Sequence, residues 1–356
     1  MGSPRRPAGF GVCLPHGWRD DLPVAAPDRQ WSFIRDQALR VEALGYDSVW
    51  FVDHLQPVVD AGGPYFECWT AMAALAASTS RVRLGQMATC SAYRPPALLA
   101  KMAAGIDAMS NGRLDVGLGA GWFELEHAAW GYDFPAAKVR IDRLEEAVDV
   151  MLRLWASGPD APASYEGAHY RLDGVTMAPP SVQEPHPPLW IAGSGERRTL
   201  ALVARHGDWC NFNGPATNVA RKAEVVAEHC ARIGRNPAEI GVSWKGDVVI
   251  APDQRRVQEQ VDRIRQQWLA RGITQFADDA GFRAGHLVGT PEEVRARIAD
   301  YQQAGCDYFI CDFWDLDRDS LELFAAEVAT PVQRAVSRLN GNESGDSPIA
   351  EQIADS

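Results

Sequence analysis

An aspartate and a histidine stand side by side at Asp53 and His54, directly after a run of β-branched and aromatic residues. Such a run predicts a strand over 48–53 that ends at this pair. A carboxylate beside an imidazole, whose pKa lies near neutrality, suits proton transfer. A lone histidine at a strand end more often makes a structural hydrogen bond, so that alternative stays open.

A short glycine-rich turn, Gly193-Ser194-Gly195, joins an apolar run to a segment rich in alanine and leucine. If these segments are a strand and a helix, the turn lies at a helix N-terminus, where backbone N–H groups bind phosphate. Arg197 and Arg198 would then lie in the first helical turn and suit an anion. The turn indicates a phosphate site, with a plain tight turn as the alternative.

The elements that position these residues repeat a pattern of helix, glycine and strand, at Gly45, Gly207 and Gly305. Glycine after a helix supplies the left-handed C′ position, so these joints indicate alternating β/α structure and a parallel sheet. Strands are predicted over 9–15, 48–53, 82–89, 114–120, 188–193, 208–213, 240–250 and 308–313. An α/β chain with this many strands favours a closed (β/α)8 TIM barrel over an open doubly wound sheet.

Two stretches interrupt the alternation. Residues 156–187, after the fourth helix, are rich in Pro, Gly and Tyr, and residues 253–289, after the seventh strand, contain an amphipathic helix. Insertions of this length in a compact domain usually form functional walls or lids. We expect one barrel domain over 9–335, with disordered termini at 1–8 and 340–356.

In a TIM barrel the functional residues lie at the C-terminal ends of the strands. Aromatic and polar side chains occur together at these predicted ends and could wall a flat heterocycle. The candidate substrate contacts are His16, Trp18, Trp122, Asn213 and Trp314. So many aromatic side chains favour an uncharged or weakly polar organic substrate.

A second glycine-rich run covers residues 117–121, at the end of the fourth predicted strand. Its third glycine comes one residue too early for the dinucleotide-binding fingerprint G-x-G-x-x-G, which we therefore reject. Small residues are expected here because the backbone approaches a ring.

Composition excludes several classes of function. The net charge of −12 argues against nucleic acid or an anionic membrane as the main partner. Nowhere does the sequence contain a run of about 18 apolar residues, which a membrane span would need. The cysteines number seven without a zinc-type pair, and the histidines show no i,i+4 spacing, so we expect no metal site. Reduced thiols and the absence of an apolar leader indicate a cytoplasmic protein.

Four segments, taken in order, resemble the bacterial-luciferase-like oxidoreductases. They are 45–54, 83–95, 110–122 and 188–195. The resemblance extends over about 9–335 and is strongest to the branch that depends on coenzyme F420, a deazaflavin. Other members of the family use flavin mononucleotide (FMN).

The resemblance implies roles for individual residues. Asp53 would lie near the deazaflavin, His54 would transfer the proton, and a non-proline cis peptide at Met87–Ala88 would support the ring. The other implied cofactor contacts are Cys90, Ala120, Gly121, Gly193, Ser194 and Gly195. A homodimer is implied as well.

The sequence departs from one member of the F420 branch. In the F420-dependent glucose-6-phosphate dehydrogenases an acidic residue after the fourth strand assists catalysis, where this chain has Trp122. A lysine that holds the sugar phosphate is replaced by Ala216. We therefore do not expect a hexose phosphate as substrate.

Three functions fit these observations. The favoured one is an F420-dependent oxidoreductase of a small organic substrate, because a 5-deazaflavin lacks the N5 needed for oxygen activation and transfers hydride. The alternative is a two-component monooxygenase, which would take reduced FMN from a separate flavin reductase and need a dry pocket. The third is a flavin-binding barrel without catalytic activity.

Overall fold

Parallel strands close into a barrel in the computed structural model, which describes residues 8–58, 60–270, 279–314 and 318–339. The barrel strands are β1 (Gly9–Cys13), β2 (Ser48–Phe51), β3 (Arg83–Gln86), β5 (Leu114–Gly119), β8 (Leu189–Ala192), β9 (Trp209–Phe212), β10 (Gly241–Ile250) and β12 (Tyr308–Phe313). Each strand pairs with the next, β12 pairs with both β10 and β1, and β10 pairs with β9 to complete the ring. The predicted (β/α)8 TIM barrel is confirmed, and each strand lies within its predicted range.

The third predicted strand, over 82–89, is split in two. After β3 the chain bulges through a cis peptide between Met87 and Ala88, as predicted, and resumes as the short strand β4 (Thr89–Cys90). β4 pairs with the end of β5. A second short strand, β11 (Leu287–Gly289), pairs with β10.

Helices surround the barrel. They are α1 (Pro27–Ala43), α2 (Cys68–Ser78), α3 (Pro96–Ser110), α4 (Glu124–Ala129), α5 (Ala137–Trp155), α6 (Thr199–His206), α7 (Ala216–Ile233), α8 (Gln254–Ala270), α9 (Asp279–Gly285), α10 (Pro291–Gln303), α11 (Arg318–Phe324) and α12 (Thr330–Leu339). A capping box between Thr290 and Glu293 fixes the start of α10. Among the described residues, no helix is long and apolar enough to cross a membrane.

Both predicted insertions are present. After α5, the strands β6 (Ala163–Glu166) and β7 (Arg171–Val175) form an antiparallel hairpin. After β10, the apolar face of α8 packs into a separate cluster that includes Trp314. The predicted disordered termini fall largely on residues 1–7 and 340–356, which lie outside the described residues, whereas Ala8 is buried.

The three glycine joints do not all have the predicted conformation. Gly45 and Gly305 have φ of +82° and +88°, as expected for a left-handed C′ position. Gly207 is instead extended, with φ −73°. A Cβ there would lie 3.1 Å from the carbonyl oxygen of Val203. A Cβ at this joint would be crowded against α6, so close approach and not a left-handed conformation favours glycine, and the left-handed prediction is wrong for Gly207.

Large side chains fill the N-terminal half of the barrel. The indole rings of Trp190 and Trp209 stack with centroids 4.5 Å apart, and Trp50 and Tyr308 pack against their edges or faces. This layer closes the lumen on one side. Space for a ligand therefore remains at the C-terminal ends of the strands.

A buried carboxylate fixes the entry into β3. Glu42, in α1, accepts hydrogen bonds from the backbone N–H groups of Ser80, Arg81 and Val82 at 2.9, 2.7 and 3.0 Å. Burial raises the pKa of Glu42, but these donors outweigh it and lower the pKa to about 2. The ionised carboxylate thus ties α1 to the strand that carries the bulge.

Glu42→Gln should lower the free energy of unfolding at pH 7 by about 1.5–3 kcal/mol, since the hydrogen bonds lose a charged acceptor. The folded-state pKa is depressed below the ordinary value of 4.5, so this stabilisation is full above that pH. It should be lost as the pH falls from about 4.5 toward about 2. Urea titrations at pH 7, 5, 4 and 3 should show that the difference in unfolding free energy between Glu42→Gln and wild type shrinks as the pH falls. The control Glu224→Gln, at an exposed position, should match wild type at each pH. A constant difference down to pH 3 would contradict an ionised Glu42.

Candidate active site

A cavity of about 630 Å³ opens at the C-terminal ends of the barrel strands. Cavities of about 300–1,000 Å³ are typical of small-molecule and cofactor sites. Most of the predicted site residues line it: Trp18, Asp53, His54, Met87, Ala88, Cys90, Ala120, Gly121, Trp122, Gly193, Ser194 and Asn213. The structure thus brings together residues from six different strand ends.

Three predicted residues do not line the cavity. His16 is buried behind the wall, with its ring nitrogens 2.8 and 3.2 Å from the backbone oxygens of Leu14 and Val52. Burial lowers the pKa of His16 to about 4, so its ring is neutral at neutral pH. Trp314 is buried in the α8 cluster, and Gly195 is not among the residues that line the cavity. Direct contact of these three with a ligand in the cavity is not supported.

His54 forms a buried pair with Glu126, a residue that the sequence analysis missed. The ring Nδ1 lies 2.8 Å from Oε2 of Glu126, whose side chain is 0% exposed. The other carboxylate oxygen accepts the N–H of Leu55 at 2.6 Å, and the hydroxyl of Tyr93 also donates to Glu126. Burial raises the pKa of Glu126, but the hydrogen bond from His54 and the other donors lower it overall. The carboxylate is therefore ionised and accepts the Nδ1–H proton.

Aromatic side chains hold the His54 ring in place. The ring of Trp18 stacks on it, with centroids 3.8 Å apart and planes within 9° of parallel. Trp122 and Phe123 meet it edge-on, each at 5.9 Å. With Nδ1 committed to Glu126, Nε2 is the ring nitrogen available for exchange of a proton with a ligand.

Asp53 acts as an anchor of the cavity wall. Its carboxylate accepts two hydrogen bonds from Arg94, at 2.7 and 2.9 Å, and one from the backbone N–H of Cys90, at 2.9 Å. The carboxylate of Glu67 binds Arg94 from another side at 2.5 Å, and Cys68 lies beside them. Oxygen and sulfur atoms of this cluster lie close enough to bind a metal ion. However, Arg94 is ion-paired with both carboxylates, and burial raises the pKa of the Cys68 thiol, which favours its protonated form.

Two glycines in and shortly after β5 lie close to neighbouring protein atoms. A Cβ at Gly117 would lie 1.8 Å from the carbonyl oxygen of Gln86, at the start of the bulge. Gly121 has φ +76°, and a Cβ there would lie 2.7 Å from the sulfur of Cys90. The prediction that this run is small to admit a ring is therefore wrong for Gly117, which faces the bulge of the adjacent strand.

The turn after β8 differs from its predicted form. Gly193 and Ser194 line the cavity, but α6 begins only at Thr199, whose side chain also reaches the cavity wall. Arg198 turns away and pairs with Glu145 at 2.8 Å on α5. The arginines therefore precede α6, and Arg198 is not available to an anion in the cavity.

A charged group on β10 also escaped the sequence analysis, which named no residue from the seventh strand. Lys245 lines the cavity, 3.6 Å from Asp312, while Arg19 pairs with Asp247 at 2.7 Å and with Asp312 at 3.1 Å. The period-two spacing of Ser243, Lys245 and Asp247 in a barrel strand is the signal that places all three toward the lumen.

Comparison with known proteins agrees with this architecture. Residues 9–308 match the family model described as luciferase-like monooxygenase, and the chain belongs to this family. It is 30% identical over 248 residues to the F420-dependent hydroxymycolic acid dehydrogenase of Mycobacterium tuberculosis, which covers 69% of this chain and 64% of that protein. It is 31% identical over 249 residues to the pyrimidine monooxygenase RutA of Methylobacterium radiotolerans, covering 65% and 62%. The chain thus spans less than two thirds of the length of either relative.

Solved structures share the fold. An F420-dependent secondary alcohol dehydrogenase in complex with an F420–acetone adduct superposes with a TM-score of 0.76 at 22% identity. The match covers 92% of this chain and 99% of that one. At this identity the likeness establishes the barrel architecture.

Glu126→Gln should change the tautomer of His54, because a carboxamide can donate to Nδ1 as well as accept from it. In the wild type, two-dimensional ¹⁵N spectra of the labelled protein should show His54 protonated at Nδ1. The variant should show a mixed or reversed pattern. Glu124→Gln removes a similar charge from the exposed face of α4 and should leave the His54 signals unchanged. An unaltered tautomer in Glu126→Gln would contradict the positioning role of Glu126.

Proposed function

We propose that this chain is an F420-dependent oxidoreductase that transfers hydride between the deazaflavin and a small organic substrate. One observation carries the proposal: the His54–Glu126 pair, with the ring facing a cavity of cofactor size. Oxidation of an alcohol, or the reverse reduction, moves a proton together with the hydride. A histidine held by a buried carboxylate supplies that proton transfer.

The residues around the cavity fit a deazaflavin or a flavin. Met87, Ala88 and Ala120 offer small or apolar surface on which a flat ring can lie. Gly193 and the hydroxyl of Thr199 lie where a phosphate could meet backbone N–H groups and a side-chain donor. When bound, F420 supplies a carbon that accepts or donates hydride.

The chain itself orients and moves the proton. Trp18 stacks on His54 and restricts its rotation, while Glu126 keeps the proton on Nδ1 and stabilises the charged ring. Nε2 then accepts the proton of a substrate hydroxyl during oxidation. In the reverse direction the imidazolium returns this proton to the reduced product.

The FMN-dependent monooxygenase is the second candidate, and similarity to the pyrimidine monooxygenase supports it. Such an enzyme needs a pocket that excludes water. Trp122 lines the cavity and is 63% exposed, so this part of the wall is accessible to water, which favours hydride transfer. We also propose a homodimer and, on the FMN alternative, a separate flavin reductase as partner.

Titration of the apo-protein tests the cofactor. F420, oxidised FMN and, without oxygen, reduced FMN are each added, and binding is followed by absorbance and fluorescence. Tight binding of F420, with its reduction by members of an alcohol panel, would support the proposal. Binding of reduced FMN alone would favour the monooxygenase, and binding without turnover of any panel member would favour a non-catalytic barrel.

His54→Asn should lower kcat by about 10²–10⁴-fold, because it removes the general acid–base group. Affinity for F420 should stay near that of the wild type. The assay is F420 reduction with the best alcohol of the panel. His16→Asn, at the buried histidine behind the wall, is the control: it should lower thermal stability and keep kcat near wild type. If His54→Asn instead loses stability and keeps its turnover, His54 is structural.

Thr199→Val should weaken F420 binding by about tenfold or more, since a hydrogen bond to a charged phosphate is lost while the side chain keeps its shape. Fluorescence titration measures the dissociation constant. The matched change Thr217→Val, at an exposed position of α7, should leave it unaltered. Equal F420 affinities of Thr199→Val and wild type would show that the phosphate does not bind at this turn.

A further inference from the structure

Lys245 is a largely but not fully buried lysine that lines the cavity. Its side chain projects from β10 and is 15% exposed. Burial lowers the pKa of Lys245, while Cys13 and then the carboxylate of Asp312 raise it, and the net shift of the pKa is upward. The group therefore remains charged at neutral pH, in a place where a charge without a partner is costly.

The neighbouring carboxylates are too far from the Lys245 ammonium group to accept close hydrogen bonds from it. Asp312 lies 3.6 Å from Nζ, beyond the usual hydrogen-bond distance of about 2.7–3.2 Å. Asp312 and Asp247 are both bound more closely by Arg19, at 3.1 and 2.7 Å, and Asp247 also faces His286 at 3.3 Å. Among the described residues, the ammonium thus has an ion-pair neighbour and no close acceptor for its N–H groups.

The position of Lys245 in the barrel favours the substrate as the missing acceptor. The strands β10, β12, β1 and β2 are neighbours, and His54 follows β2. The residues proposed to hold the cofactor follow β3, β5 and β8, on the other half of the ring. A ligand that presents its reacting carbon to both His54 and the cofactor would extend its far end toward Lys245.

We propose that Lys245 binds a carboxylate of the substrate, so that the substrate is an organic acid whose apolar part lies against Trp18 and Trp122. This inference rests on the proposed function, which assigns the two halves of the cavity. It also replaces the expectation of an uncharged substrate, because the strand-end aromatics account for only one side of the cavity. A charged ammonium prefers an anionic acceptor to a neutral one.

Calorimetric titration with benzoate, a small aromatic carboxylate, tests the inference on the cofactor-loaded protein. Wild type should bind benzoate, and Lys245→Met should weaken this binding by about 10-fold or more. Benzamide, which has the same shape without the charge, should bind weakly and equally to both proteins. Lys138→Met removes a lysine from the exposed face of α5, where it pairs with Asp142 at 3.0 Å away from the cavity, and it should keep the benzoate affinity. Methionine matches lysine in length, and a thermal melt checks that each variant is folded.

Several results would overturn the proposal. They are absence of benzoate binding to wild type, equal binding of benzamide and benzoate, or unchanged benzoate affinity in Lys245→Met. Loss of F420 affinity in Lys245→Met with benzoate affinity unchanged would assign the ammonium to the cofactor instead. If neither F420 nor FMN binds, the titrations are made on the protein alone. A Lys245-dependent benzoate site would then stand although the proposed function had failed.

Discussion

The buried ion pair between Asp53 and Arg94 is the interaction on which the cavity depends. It joins the end of β2 to the segment after β4, because the same carboxylate also accepts the N–H of Cys90. Arg94 extends the link to Glu67, which caps the N-terminus of α2 through its side chain. Removal of one partner would leave a buried charge uncompensated, which usually costs several kcal/mol. The cavity wall next to the bulge is thus held by an ion pair and directional hydrogen bonds. Apolar packing alone would permit other conformations of this segment.

The ion pair between Asp53 and Arg94 also helps to position the His54–Glu126 pair. His54 follows Asp53 directly, and its neighbour Leu55 donates its N–H to Glu126. The orientation of the histidine is therefore fixed from two sides, by the backbone after Asp53 and by the carboxylate from α4. Tyr93, one residue before Arg94, donates its hydroxyl to that carboxylate as well. The segments that form the cavity wall therefore also position the His54–Glu126 pair.

Features that depend on local sequence pattern were predicted from the sequence. Features that depend on contacts between distant residues were missed. Runs of β-branched and aromatic residues and the helix–glycine joints were sufficient to predict the strands and their alternation with helices. The strand ends then gave most of the cavity wall. Glu126 was missed because α4 has only six residues, too few for periodicity to distinguish it from the exposed Glu124. The left-handed conformation predicted for Gly207 was wrong because glycine is favoured there by the nearby carbonyl group of Val203. Residue type alone does not reveal such a contact.

The charged groups near the cavity differ in their ability to move a proton, and this difference supports the proposal that His54 is the proton-transfer group. Lys245 has a raised pKa, so it remains protonated at neutral pH and cannot serve as a base there. His16 has a pKa lowered to about 4 by burial and points both ring nitrogens at backbone oxygens. Asp53 is fully engaged by Arg94 and Cys90. His54 combines a place on the cavity wall, one nitrogen fixed by Glu126, and a second nitrogen available to the ligand. A fixed positive charge at Lys245 and an exchangeable proton at His54 would then act on opposite ends of one substrate.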